Sequence, residues 1–161
     1  MAEIIDGTST TVAFSERIAH VDVTRIITGG WGVADASSNP GLCAAAAPGG
    51  VYLTKPDQFD EARWNDGRVM YAGFYTVLAP NSPSCTDQGG NIHDSPWVLN
   101  TASSLHPGGV LTGMCDGSVR FTANSVDTGN LSAGYPTSGP SPYGVWGAMG
   151  SRSGGEAVNL P

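Results

Sequence analysis

Glycine or proline stands at about one position in five of this chain, 23 and 11 of them in 161 residues. Glycine loses the most backbone freedom in a regular element, and proline removes a donor and clashes with the preceding helical turn. That density is high for a helical protein and suits strands joined by many tight turns. Four Trp, five Tyr and four Phe are too many for a disordered chain. The length fits one globular domain over residues 1–161, with a real core and little room for a second.

Charge narrows the partners. Charged residues make up 13% of the chain, about half the usual share, and the net charge is −7. The seven Lys and Arg are scattered singly. Nucleic acid requires a clustered basic footprint, which is absent here, and anionic membrane surfaces are disfavoured for the same reason. No apolar run approaches the ~20 residues of a membrane span. The start, Ala2-Glu3-Ile4-Ile5-Asp6-Gly7, lacks the basic and apolar regions of a signal peptide and reads like the interior of a longer polypeptide.

Local patterns place the elements. Thr10 to Arg17 alternates with β-branched residues and reads as a strand, Val21 to Ile27 as a second, and Val51 to Leu53 as a short third. Trp31 to Gly50 reads as loop. Asp57 to Trp64 suits one or two helical turns, and Arg68 to Leu78 is apolar enough for a central strand that Pro80 ends. The clearest pattern is Val110–Cys115 and Ser118–Ala123 around Asp116-Gly117. It predicts a hairpin with a two-residue type I′ turn. A Gly/Pro/Ser loop runs to Pro142, and Tyr143 to Met149 reads as a short helix or turn. The expected class is mainly β, an antiparallel sheet with long loops and one or two short helices.

Three cysteines form an odd set. Cys43 and Cys85 lie in loop sequence, whereas Cys115 alternates with apolar neighbours in a strand-like run. The expectation is a Cys43–Cys85 disulfide and a buried Cys115 thiol, and hence an oxidising compartment. A zinc site joining these cysteines to His93 is the sharper alternative, but the spacings match no zinc pattern.

Other constellations favour structural roles. Ser104, His106 and Asp116 are the residue types of a catalytic triad, yet Ser104 lacks the strained elbow that presents a nucleophile. The imidazole of His106, followed by Pro107-Gly108-Gly109, is expected to bond backbone groups near the turn. No catalytic residue is assigned. Asp6, Asp87, Asp94, Asp116 and Asp127 sit in loop-like sequence without the spacing of a calcium loop, so turn and cap roles are expected. A structural calcium ion is the alternative, and no other cofactor or metal is expected. Trp31, Trp64, Trp97 and Trp146 each adjoin Gly, Pro or Asn. Exposed, they could form a glycan platform; core or loop packing is the ordinary role of Trp in a small β domain.

The stretch from Ser103 to Val110, with nine residues between His106 and Asp116-Gly117, resembles the His-x9-Asp-Gly signature of the planctomycete prepilin-like family of unknown function. Asp6-Gly7-Thr8-Ser9 running into Ala13 to Arg17, Val77 to Cys85, and Tyr143 to Arg152 with Gly154-Gly155-Glu156 are similar to the same family. The resemblance implies a pilin-like antiparallel head whose full polypeptide carries a prepilin leader and an apolar anchoring helix, making the whole α+β. This chain would be its C-terminal half. His106, Asp116, Gly117, Gly155 and Glu156 carry over as signature residues without a chemical role. The resemblance implies a non-enzymatic structural or interaction domain, in contact with proteins at the cell surface or in a type II secretion apparatus. It would be extracellular or periplasmic and membrane-anchored only through the missing helix. An extracellular glycan- or small-solute-binding module is the alternative.

Overall fold

The computed structural model describes residues 3–18, 26–27, 29–52, 65–87, 95 and 97–156. Its organising unit is the expected hairpin. Strand β5 (Gly109–Met114) pairs antiparallel with β6 (Val119–Ala123) from Gly109↔Ala123 to Gly113↔Val119. The connection differs from a two-residue turn. Gly117 N–H donates to Met114 O at 3.0 Å and Met114 N–H to Ser118 O at 2.8 Å, leaving Cys115, Asp116 and Gly117 as a three-residue loop. Only Gly117 takes positive φ, 88°, as in a turn followed by a glycine bulge; type I′ would require it of Asp116 as well. The cause lies in the neighbouring loop. Thr11 O accepts Cys115 N–H at 2.8 Å and Thr8 O accepts Asp116 N–H at 3.0 Å, which draws Cys115 out of the ladder. Its free thiol is accordingly half-buried rather than in the core.

Strand β1 (Val12–Ser15) flanks the other side of β5, giving an antiparallel sheet ordered β1-β5-β6, with a register irregularity between Val12 and Phe14. A second sheet joins β2 (Gly30–Gly32), β3 (Ser84–Thr86) and β4 (Val98–Leu99). Its β2–β3 pair is parallel and its β3–β4 pair antiparallel. The class is mainly β, as expected, with one sheet mixed.

Three short helices accompany the sheets among the described residues: α1 (Gly41–Ala45), α2 (Val69–Ala72) and α3 (Gly144–Gly150). The first two are corrections. Trp31 to Gly50, read as loop, contains the last two residues of β2 and all of α1. Arg68 to Leu78, read as a strand, begins with α2, where Tyr71 and Ala72 N–H bond Arg68 O, and Gly73 N–H bonds Val69 O. A short apolar run does not tell a buried strand from a buried helical turn. Asp57 to Trp64 and Val21 to Arg25 lie outside the described residues, and Ile26-Ile27 form a turn. Among the described residues no helix is long and apolar enough to cross a membrane.

Two cores result. One surrounds the Cys43–Cys85 disulfide (Cα–Cα 6.0 Å) with Ala36, Val77, Leu78, Leu99 and Tyr143. The other packs Val110 and Met114 of β5 on Trp146 and Met149 of α3. Trp146 links them: its fully buried indole Nε1–H donates to Leu78 O at 2.9 Å, and its ring stacks on Phe74 at 6.4 Å.

Candidate functional site

The signature residues hold the two ends of the hairpin, not a common centre. His106 precedes β5 and Asp116 follows it, so a six-residue strand of roughly 17–20 Å separates them. At the base, the His106 ring Nε2 lies 3.1 Å from Glu16 Oε1, and Glu16 Oε2 accepts Leu111 N–H at 2.7 Å. The imidazole therefore meets a carboxylate, where backbone groups were expected. Ser104 Oγ donates to Gly109 O at 2.7 Å and accepts His106 N–H at 3.0 Å. Among the described residues Ser104 Oγ thus bonds the His106 backbone and not its imidazole, and Asp116 lies at the far end of β5. Asn81, at φ 63°, completes the base by accepting Ser104 N–H at 2.8 Å and donating to Asn124 Oδ1 at 2.9 Å.

At the tip, Asp116 Oδ1 accepts Ser118 N–H (2.9 Å) and its hydroxyl (2.7 Å). The Ser118 hydroxyl and then its N–H hold the Asp116 carboxyl below the usual carboxylate range. The loop carrying Thr8 and Thr11 begins at Asp6, for which the sequence suggests a turn or cap role with calcium binding as the alternative. Its carboxylate accepts Gly154 N–H at 2.7 Å, Gly155 N–H at 3.0 Å and the Ser151 hydroxyl at 3.2 Å. Gly155, at φ 80°, lets two successive amides point at one carboxylate. Glu156 Oε1 in turn accepts Ser141 N–H, while its buried Oε2 has no partner among the described residues. The four motif stretches distant in sequence thus meet around one hairpin: Thr8 and Thr11 of the Asp6 loop at its tip, Glu16 and Asn81 at its base, and α3 beneath it.

The remaining acids are apart. Asp87 caps Ser37 through its N–H (3.0 Å) and hydroxyl (2.6 Å), Asp127 accepts Gly129 N–H at 2.9 Å, and Asp94 lies outside the described residues. Among the described residues no three His, Cys, Asp or Glu gather as metal ligands, and the disulfide removes two of the three cysteines from the zinc alternative. The tryptophan platform also needs correction. Trp146 is fully buried and cannot meet a ligand, and Trp97 packs against Tyr135 at 5.5 Å. Trp31 is half-buried in β2, and Trp64 lies outside the described residues.

Two surfaces were missed from sequence. The outward face of the β1-β5-β6 sheet carries Phe14, Leu111, Val119 and Phe121, with Phe14 76% and Val119 66% exposed. Phe14 lies over Gly113, and Phe121 over Gly109, where a Cβ would strike its ring. Elsewhere, Tyr75 and Tyr135 stack at 5.6 Å beside an open groove of about 440 Å³. Burial raises the Tyr135 phenol above its ordinary range and pushes Tyr143 up to about 12. The signal for the first surface was the apolar side of β6; no short motif marks the second.

No curated protein and no solved structure shows significant similarity to the chain. A family model matches residues 1–129, which include the Asp6 loop, the disulfide and the whole hairpin, and the chain therefore belongs to the family described as protein of unknown function (DUF1559).

Proposed function

We propose that this chain is a non-enzymatic interaction domain, the head of a pilin- or pseudopilin-like surface protein of planctomycete type, working through contact with other proteins. The observation that carries this reading is the apolar outward face of the β1-β5-β6 sheet. Phe14, Leu111, Val119 and Phe121 lie adjacent on it, while the opposite face is packed on α3. Contiguous exposed apolar side chains of this kind mark protein contact sites. Glu16, whose carboxylate accepts Leu111 N–H, and His106 border the four at the base of the hairpin, and the occupant that fits the apolar part is a helix of the assembly with an apolar face. The disulfide suits an oxidising extracellular or periplasmic setting. That Ser104 Oγ bonds the His106 backbone and not its ring, with Asp116 at the other end of β5, supports a scaffold role for the signature residues.

The test is to produce the natural gene product in its own host and look for prepilin processing and for assembly into filaments or membrane complexes. The expected result is assembly that Phe14→Ser with Phe121→Ser abolishes, while the melting temperature of the purified chain stays within about 2 °C, since both rings are exposed. A soluble cytoplasmic monomer with no processed form would refute the reading.

A further inference from the structure

We infer that the open groove beside Tyr75 and Tyr135 is a binding site for a neutral oligosaccharide, separate from the apolar sheet face. Its volume, about 440 Å³, falls within the range of roughly 300–1,000 Å³ for small-ligand sites. Tyr75 and Tyr135, both half-buried and stacked on each other, border the groove, and the part of each ring left uncovered can meet the C–H groups of a pyranose. The hydroxyls of Thr76, Thr137, Ser138 and Ser153 also line it, and none makes a hydrogen bond among the described residues. Each can donate one bond and accept others, which matches a polyol.

The walls are built to present these groups. Gly150 and Gly147 of α3 sit where a Cβ would run into Thr76 and Ser141, so the absence of side chains on this helix face lets both hydroxyl residues seat against it. Among the described residues the buried Tyr135 hydroxyl has no hydrogen-bond partner, which costs free energy while it stays unpaired. Charge selects for neutrality. No carboxylate lines the groove among the described residues, its Arg152 guanidinium is 3.2 Å from Glu3, and the net charge of −7 disfavours anions.

The experiment is a titration of the purified chain with maltotriose, cellotriose, mannotriose and triacetylchitotriose, each to roughly 10 mM, followed by amide NMR shifts. Binding of at least one trisaccharide is expected, with shifts centred on residues 75–77 and 135–141. Tyr75→Ala should abolish it, and the double variant Thr137→Val with Ser138→Ala should weaken it roughly 3- to 10-fold. Because Thr137 and Ser138 are exposed, the double variant decides the matter even if Tyr75→Ala fails to fold. The inference is overturned if none of the four sugars binds, if the shifts map elsewhere, or if the double variant binds as tightly as the parent chain.

Discussion

Reducing the Cys43–Cys85 bond should destabilise the domain mainly by releasing its unfolded state. The two cysteines are 42 residues apart in sequence. Cross-linking a loop of that size removes about 4 kcal/mol of conformational entropy at 25 °C from the denatured chain. For a protein of this length each kcal/mol moves the melting temperature by about 2–4 °C, so the full effect is roughly 8–16 °C. Both cysteines are fully buried beside Leu78 and Leu99, so a Cys43→Ala, Cys85→Ala pair adds a small packing loss to the same entropy term. Calorimetry with and without reductant, beside the double alanine variant and a Cys115→Ser control, separates the contributions. The control should melt within about 2 °C of the parent, because Cys115 is only half-buried. A shift under about 3 °C on verified reduction would refute the reasoning, since the denatured chain would then already be as confined as the cross-linked one.

Trp146→Phe keeps an aromatic ring on Phe74 but orphans the Leu78 carbonyl and leaves a void, and should cost about 2–4 kcal/mol in urea unfolding with an unchanged m-value. His106→Ala removes only a half-exposed pair with Glu16, so it should cost less than about 1 kcal/mol; Glu16→Ala, which also strips Leu111 N–H of its acceptor, should cost more. Asp116 is held below its ordinary value of 3.8, so its contribution to stability is present above that pH and lost as pH falls through the lower folded value. Asp116→Asn should therefore flatten the acid limb of a stability–pH profile below about pH 4 and leave the neutral region's pH slope unchanged. Tyr52, Tyr135 and Tyr143 are shifted upward by burial, so their contribution holds below pH 10 and is lost as pH rises past it; absorbance titration should show these phenols ionising together with alkaline unfolding.

Much of the local structure was legible because short-range chemistry decides it. Asp116-Gly117 between two alternating runs located the hairpin, the density of glycine and proline set the mainly-β class, and loop composition picked Cys43 and Cys85 as partners. Failures came where distant groups compete for the same backbone. The turn gained a residue because Thr8 and Thr11 claim the amides of Asp116 and Cys115. Val69–Ala72 curled into α2 although its apolar run suits a strand equally well. The sheet face is the sharpest case. Along β6, alternation sets Val119 and Phe121 against Arg120 and Thr122, and pattern alone would bury the apolar pair. The fold buries Thr122 instead, its hydroxyl 3.0 Å from that of Thr112, and leaves Phe121 outside. Period-2 alternation determines which residues share a face, but only packing determines which face turns inward. Here Val110 and Met114 of β5 dock on Trp146 and Met149 of α3. Their face of the sheet goes inward and takes the threonines with it, because one rigid ladder cannot bury both sides against a single helix.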